Sequence, residues 1–183
     1  MDKDTNLTVA KICHEMANYL SVLNFIKEDI ASNTTGDVKE MFKIIELLTH
    51  TMDFFRNVYA DNIDSNTVIN VLKKIYSLKE INLFLPIDNI SGKIQGAICC
   101  VLYTIMKSSK SGDIVSVSNV GNKVVINMPA DCLLPVEVNK ALSSDISNNA
   151  FNILVNYAKS IARLDGYEIK IEDNLKQVVI WKQ

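Results

Sequence analysis

Two apolar rows run side by side along residues 38–59, and they limit the fold more strongly than any other feature of the chain. The first row alternates three- and four-residue steps, which is the spacing of a coiled-coil seam. Its members are Val38, Met41, Ile45, Leu48, Met52, Phe55 and Tyr59, and the second row consists of Ile44, Leu47, Phe54 and Val58. One antiparallel neighbour cannot cover a face this wide, so the pattern predicts a helix with more than one packing partner.

The preceding stretch supplies the first of these partners. It has a helical pattern up to an interruption at 33–36, where the sequence is Asn-Thr-Thr-Gly. Gly36 can end a helix in the left-handed conformation that other residues avoid. Asp37 followed by Glu40 fits the N-terminal cap of the next helix. The sequence therefore predicts a helical hairpin.

A hairpin alone cannot bury both apolar rows of its second helix. The economical arrangement is a homodimer in which two hairpins, each from residues 1–61, form a four-helix bundle. This arrangement predicts that Phe54 or Phe55 contacts the other protomer.

The pattern changes at residue 62, and we place a second domain over 62–183. Short strand-like segments now alternate with apolar helical segments. The predicted helices cover 67–77, 96–109 and 150–164, and the predicted strands cover 81–85, 114–117, 123–127, 167–171 and 178–181. This order predicts an α+β fold, in which the helices lie on one face of a mixed sheet.

Composition excludes several classes of function. The 183 residues have a formal net charge of −2 and no basic block, so nucleic acid is not an expected partner. Polar residues fill positions 1–8, and no apolar run has the roughly 20 residues that span a membrane. We therefore expect a cytoplasmic protein without a membrane segment. Cys13, Cys99, Cys100 and Cys132 show no C-x-x-C spacing, so we expect buried, reduced thiols and no metal site.

A histidine near the N-terminus begins the string His14-Glu15-Met16-Ala17-Asn18-Tyr19-Leu20. Imidazole has an ordinary pKa of about 6.5, so near pH 7 it presents a neutral, nucleophilic nitrogen. On a helix, His14 shares its face with Ala17, Asn18 and Ser21, which are small or polar. This pattern predicts that His14 faces solvent.

The string resembles the H-box of two-component histidine kinases, H-E-x-x-N-P-L, with tyrosine in place of the proline. The second half of the chain resembles the ATP-binding domain of these kinases, with 107–113 in the place of their K-x-T-x-x-G-G ending. The glycine boxes that hold the phosphates are missing, because 128–132 (Met-Pro-Ala-Asp-Cys) and 148–152 (Asn-Asn-Ala-Phe-Asn) stand in their places. Thr104 stands where the kinases have a magnesium-binding asparagine. The domain is therefore not expected to bind ATP.

A histidine hairpin joined to an ATPase-like domain without nucleotide motifs is similar to the ChpT-type histidine phosphotransferases. Residues 52–60 also resemble that family's L-R-F-x-R-x-A-F-G stretch, whereas the H-box string, with Glu15, Asn18 and Tyr19, is closer to the kinase form. The resemblance implies a homodimer that shuttles a phosphoryl group through His14 between receiver-domain aspartates. The implied partners are the receiver domain of a hybrid histidine kinase and response regulators. Because the receiver supplies Mg²⁺, the resemblance implies no cofactor for the chain itself.

The residues around His14 can then be given roles. Glu15 can accept a hydrogen bond from the imidazole ring or from a lysine of the partner, or it can be a solvated helix residue. Asn18 can orient a phosphoryl oxygen or a water, and Ala17 with Ser21 would form a flat docking surface. Two other functions stay open, namely a dimeric module that binds regulators without phosphate and an active histidine kinase core.

Overall fold

The computed structural model describes the greater part of the chain, namely residues 12, 15, 16, 18, 19, 21–23, 25, 26, 38–59, 64–84, 92–143, 152–172, 174 and 176–183. The described residues between 12 and 26 are helical, and together they are called α1. The further helices are α2 (Val38–Val58), α3 (Ser65–Leu78), α4 (Gly92–Ser108), α5 (Val136–Ser143) and α6 (Ile153–Leu164). The strands are β1 (Asn82–Phe84), β2 (Ile114–Val120), β3 (Lys123–Asn127), β4 (Tyr167–Glu172) and β5 (Gln177–Lys182). Among the described residues, no helix is long and apolar enough to cross a membrane.

The five strands form one mixed sheet in the order β1-β2-β3-β5-β4. β1 pairs with β2 in parallel, and all other neighbours are antiparallel. The turn between β2 and β3 has Gly121 with a φ of 63° at its first position, where a type II′ hairpin turn requires glycine. The predicted α+β class is thus confirmed.

One face of the sheet belongs to the core, and the other carries a row of polar side chains across three strands. The register aligns Val117 with Ile126 and Ile126 with Val178, and all three side chains are buried. One residue further along the strands, side chains point to the opposite face. There the Asn127 amide donates to the Ser116 hydroxyl at 3.0 Å and accepts a hydrogen bond from Gln177 at 2.8 Å.

Helix α4 lies at the centre of the helical layer. It packs against α6 and α3, and α3 in turn packs against α2. α3 begins at an N-cap, Asp64, whose carboxylate accepts a hydrogen bond from the backbone N–H of Asn66 at 3.1 Å. α6 ends at Asp165, and Gly166 follows with a φ of 75°. This left-handed position explains why the predicted stop of the helix is confirmed.

The C-terminal end of α2 is inserted into the same core. Phe54 is fully buried and Phe55 is 3% exposed, and both rings contact Tyr103 of α4. Val58 is buried as well, and its carbonyl accepts a hydrogen bond from the Tyr157 hydroxyl of α6 at 2.9 Å. The prediction that Phe54 or Phe55 contacts another protomer is therefore wrong, because the α/β part of the same chain covers both rings.

The opposite side of α2 is exposed. Phe42, Ile45 and Met52 are 56%, 40% and 45% exposed, respectively. The row predicted as the coiled-coil seam is thus split, since Phe55 faces the core while Ile45 and Met52 face outwards. We keep the boundary between 61 and 62 as a prediction, although the end of α2 shares a core with the α/β part.

Several element boundaries differ from the predicted ones. Helix α5 was not predicted, because eight residues after Pro135 are too short to show a clear period. α4 begins at Gly92 rather than at Gly96, which is buried inside the helix. β2 extends to Val120, three residues beyond the predicted end. The predicted helix break at 33–36 lies outside the described residues.

The thiols behave as the sequence indicates. Cys99, Cys100 and Cys132 are free and buried, and Cys13 lies outside the described residues. Burial raises the pKa of Cys99 to about 12. These three residues are therefore protonated core side chains at neutral pH.

Candidate functional site

Four residues of the H-box string are described: Glu15 is buried, Met16 and Tyr19 are half-buried, and Asn18 is exposed, as is Ser21 just beyond the string. Glu15 is 3% exposed, whereas Asn18 and Ser21 are exposed. His14 and Ala17 lie outside the described residues. The exposure of Asn18 and Ser21 agrees with the small, polar face that the sequence indicates for this helix.

Glu15 forms an ion pair with the α/β part of the chain. Its carboxylate accepts a hydrogen bond from the ammonium group of Lys107, which stands in the last turn of α4. The side chain of Lys107 is one-third exposed, so water reaches one end of the pair. The interpretation of Glu15 as a solvated helix residue is therefore wrong, and a lysine of the chain itself takes the place foreseen for a partner's lysine.

An aromatic cluster lies beside this ion pair. The Lys107 ammonium is 6.0 Å from the centre of the Tyr103 ring. Tyr103 stacks on Phe54 with centroids 4.7 Å apart and an angle of 13° between the planes, and Phe55 meets it edge-on at 5.5 Å. The pair thus adjoins the contact that holds α2 on α4.

Three further polar residues belong to the surroundings of Glu15, namely Tyr19, Thr51 and Lys79. The hydroxyls of Tyr19 in α1 and Thr51 in α2 lie 3.4 Å apart. Burial raises the pKa of Tyr19, the hydrogen bond with Thr51 opposes this, and the negative charge of Glu15 raises it further. At the C-cap of α3, burial lowers the pKa of Lys79, and the positive charge of Lys107 acts in the same direction.

We call Glu15, Tyr19, Thr51, Lys79 and Lys107 the Glu15 cluster. Its members come from α1, α2, the end of α3 and α4, so it joins four elements next to the H-box. Sequence reasoning did not find Thr51, Lys79 and Lys107 as neighbours of Glu15. Glu15 and Lys107 are 92 positions apart, and no periodic pattern connects residues at that separation.

The region that corresponds to the kinase nucleotide site has other local structure. The Thr104 hydroxyl donates to the Cys100 carbonyl of its own helix at 2.9 Å. In the loop that stands in place of the first glycine box, the N–H of Cys132 donates to the Pro129 carbonyl at 3.0 Å. The Lys176 ammonium donates to the Cys132 carbonyl at 3.1 Å. The Cys132 amide is thus used within the loop and is not available to a phosphate, which glycine boxes bind through such amides.

A cavity of about 300 Å³ lies between α5, α6 and β4. Lys159, Arg163, Glu168 and Lys170 line it together with Leu142, Ser143 and Ile169. Lys159 is buried and donates to the Ala141 carbonyl, and the ammonium of Lys170 lies 3.8 Å from the Glu168 carboxylate. Its lining comes from other elements than those of the Glu15 cluster.

No protein-family model matches the chain, and no curated protein sequence is similar to it. Among solved structures, the chain is similar to a bacterial phosphotransferase solved at 1.7 Å, with a TM-score of 0.67 and 15% identity over 97% of this chain and 94% of that chain. The histidine kinase AdeS of Acinetobacter baumannii matches with a TM-score of 0.40 and 12% identity over 91% of this chain and 94% of that chain. The chain therefore shares the fold of the bacterial phosphotransferase over nearly its whole length.

Proposed function

We propose that the chain is a histidine phosphotransferase of a two-component phosphorelay, related to the ChpT type, with His14 as the phosphoacceptor. The observation that carries the proposal is the string His14-Glu15-x-x-Asn18 on a helix whose Glu15 is anchored in the core while Asn18 and Ser21 are exposed. The fold shared with a bacterial phosphotransferase supports it.

Phosphotransfer through a histidine requires few catalytic groups from the phosphotransferase itself. A neutral ring nitrogen of His14 attacks the phosphorus of an aspartyl phosphate on a receiver domain. The N–P bond forms as the O–P bond to the carboxyl oxygen breaks, and the aspartate leaves as a carboxylate. Reversal of this step on a second receiver completes the relay. Positioning and charge neutralisation supply most of the catalysis, and the receiver contributes the Mg²⁺.

The neighbouring residues have supporting roles in this proposal. Asn18 is exposed one turn beyond His14, where its amide can orient a phosphoryl oxygen or a water. Ser21 is exposed one turn further along and, with Ala17, offers small side chains to a docking receiver domain. Glu15 belongs to the site as the covalent neighbour of His14 and as its link to α4.

The proposed homodimer has a different surface from the one that the sequence indicates. Exposed apolar side chains on α1 and α2 define what we call the α1–α2 apolar surface, which consists of Val22, Phe25, Phe42, Ile45 and Met52. Phe25 is 71% exposed and Phe42 is 56% exposed. Large exposed apolar patches often mark protein–protein interfaces, and we infer that these side chains form such a patch. We assign this surface to the second protomer of a four-helix bundle.

Labelling with a small phosphodonor tests the proposed function. Incubation with phosphoramidate and Mg²⁺ should give an acid-labile, base-stable phosphate that peptide mass spectrometry locates on His14. The His14→Gln variant should take up no label, while His50→Gln, the matched control at the other histidine of the chain, should be labelled like the wild type. Label that persists in His14→Gln would show that the site assignment is wrong.

The same samples separate the alternatives. A module that binds regulators without phosphate would remain unlabelled and would still associate with receiver domains, and the exposed α1–α2 apolar surface is the observation that favours it. A kinase core would become labelled with Mg-ATP alone. For the phosphotransferase we expect no label from Mg-ATP and no rise in melting temperature at millimolar nucleotide, because a ligand stabilises only if it binds the native state.

A further inference from the structure

The Glu15–Lys107 ion pair connects charged side chains of α1 and α4. Glu15 is 3% exposed, while the Lys107 side chain is 33% exposed. A carboxylate so far removed from water requires a positive partner, because an unpaired buried charge is strongly unfavourable. Lys107 therefore determines where the Glu15 side chain can point.

This constraint has a directional consequence for α1. An α-helix turns by about 100° per residue, so a side chain that is fixed inwards also fixes the directions of its neighbours. Relative to Glu15, positions 18 and 21 lie about 60° and 120° away in the same sense, and both are exposed. The residue that precedes Glu15 is expected between these two directions. The ion pair thus selects the rotation of α1 that turns the phosphoacceptor face outwards.

Contacts around the ion pair oppose any other rotation of α1. Lys107 stands over the Tyr103 ring, which is itself fixed by stacking on Phe54. The Tyr19 hydroxyl of α1 lies 3.4 Å from the Thr51 hydroxyl of α2. A different rotation of α1 would break the Glu15–Lys107 ion pair and the Tyr19–Thr51 contact together.

We propose that Lys107 is a positioning residue for phosphotransfer, which acts through Glu15 to orient His14 and Asn18 towards a docked receiver domain. The proposal rests on the function proposed for His14. It gives the end of α4, in a domain that lacks nucleotide motifs, a role in the reaction: the lysine holds the phosphotransfer helix rather than a nucleotide. Lys107 touches neither the phosphoryl group nor the receiver in this proposal.

The test separates the reactivity of the histidine from its presentation to a protein. Phosphoramidate is small and approaches an exposed imidazole from many directions, whereas a receiver aspartate must meet it in line. The variants are Lys107→Met, which keeps the length of the stem without the charge, Lys107→Arg as the conservative replacement, and Lys110→Met as a control at an exposed lysine three residues later. The acceptor is the receiver domain, from the response regulators of the same genome, that takes phosphate fastest from the wild-type chain.

We expect Lys107→Met to be labelled by phosphoramidate within about twofold of the wild type and to transfer phosphate to the receiver at least about tenfold more slowly, since small misplacements cost this much or more. Lys107→Arg should restore transfer, and Lys110→Met should resemble the wild type. The double variant Glu15→Gln with Lys107→Met should transfer no more slowly than the slower single variant, because both changes remove the same contact.

Three results would overturn the proposal. Transfer by Lys107→Met at the wild-type rate would show that the pair does not orient the site. An equal loss with phosphoramidate and with the receiver would place Lys107 in the chemistry itself or in general stability. Failure of Lys107→Arg to restore transfer, with the far-ultraviolet circular dichroism of all variants unchanged, would exclude the ion pair as the cause. If the wild type itself takes up no phosphate, the proposed function fails, which is a different outcome from each of these.

Discussion

Helices α4 and α2 are both rich in apolar residues, but the fold treats them differently. Between residues 94 and 106 of α4, all side chains except those of Gln95 and Thr104 are buried, because α3 and α6 pack on this helix over the sheet. α2 buries Phe54, Phe55 and Val58 near its C-terminal end and exposes Phe42, Ile45 and Met52 on the other side. A helical period of apolar residues therefore predicts that a side chain packs against another surface, but not whether that surface belongs to the same chain.

The two helices therefore have different roles. α4 is surrounded by its own chain, so its side chains contribute mainly to folding stability. α2 contributes three buried apolar residues to that core and presents three exposed ones outwards, which is where we propose the second protomer. The following predictions test this difference between the two helices, and the first concerns the most buried residues.

The thiols of α4 should be almost inert in the folded protein. Burial raises the pKa of Cys99 from an ordinary 9.0 to about 12, which lowers the thiolate fraction roughly a thousandfold at any pH well below both values. We expect iodoacetamide at pH 8 to alkylate the peptide that contains Cys99 and Cys100 at least about a thousandfold more slowly than in denaturant. Mass spectrometry of this peptide over time measures the rate separately from Cys13 and Cys132. Rapid alkylation in the native state would show that α4 is less enclosed than the structure indicates.

Truncating a phenylalanine on each side of α2 should change the free energy of unfolding by very different amounts. Phe54→Ala removes a fully buried ring that stacks on Tyr103, and such changes typically lower the free energy of unfolding by about 3–5 kcal/mol. Phe42→Ala removes a ring that is 56% exposed and should change the stability of the isolated chain by less than about 0.5 kcal/mol. Urea unfolding at low protein concentration measures both values.

The Phe42→Ala variant also tests the proposed dimer. Sedimentation analysis should show weaker self-association for this variant, whereas Lys74→Ala on an exposed part of α3 should leave association unchanged. A wild-type chain that remains monomeric at high concentration would leave the α1–α2 apolar surface to a different partner and would contradict the bundle.

The smallest effect is expected at the N-cap of α3, which follows α2 along the chain. Hydrogen bonds from the Thr67 hydroxyl at 2.5 Å and from the N–H of Asn66 at 3.1 Å hold the pKa of Asp64 below its ordinary value of 3.8. Replacing such a cap by alanine should lower the melting temperature by about 2–4 °C at pH 7. Because the pKa of the folded state is the lower one, this contribution is present above pH 3.8 and is lost as the pH falls through the folded-state pKa.

Melting curves of the wild type and Asp64→Ala between pH 7 and pH 2.5 check this expectation. The difference between the two curves should become smaller towards the acidic end, as the carboxyl group of the folded chain takes up its proton. Asp64→Asn provides the matched control, since its amide oxygen can still accept the backbone hydrogen bond at every pH. A difference between wild type and Asp64→Ala that persists unchanged at pH 2.5 would rule out the charge as its cause.

The sequence predicted those features that depend on near neighbours. Gly166 follows a helix that ends at the predicted residue, and each of the five predicted strand segments overlaps a strand of the structure. Local patterns also indicated that α2 has more apolar surface than one partner can cover. They did not indicate which row faces the core, because that depends on Tyr103, which approaches α2 only in the folded chain.

The candidate site was predictable to the same extent. The H-E-x-x-N string is a local pattern and therefore visible, and the exposure of Asn18 and Ser21 follows from helix geometry. The pairing of Glu15 with Lys107 is not local, since a lysine at the end of an apolar helix resembles any other C-terminal cation that favours the helix dipole. Only the tertiary arrangement distinguishes Lys107 from the exposed Lys110 three residues later.

The hydrogen bond from Tyr157 to the Val58 carbonyl has a mechanical consequence. The last carbonyls of a helix have no partner inside the helix, and here a side chain of α6 supplies one for α2. The Tyr59 ring adds a contact to the Tyr157 ring, with centroids 4.7 Å apart. Unwinding of the last turn of α2 must therefore break a bond to a helix that lies a hundred residues further along the chain, so α2 and α6 are expected to open or stay closed as a single unit in hydrogen exchange.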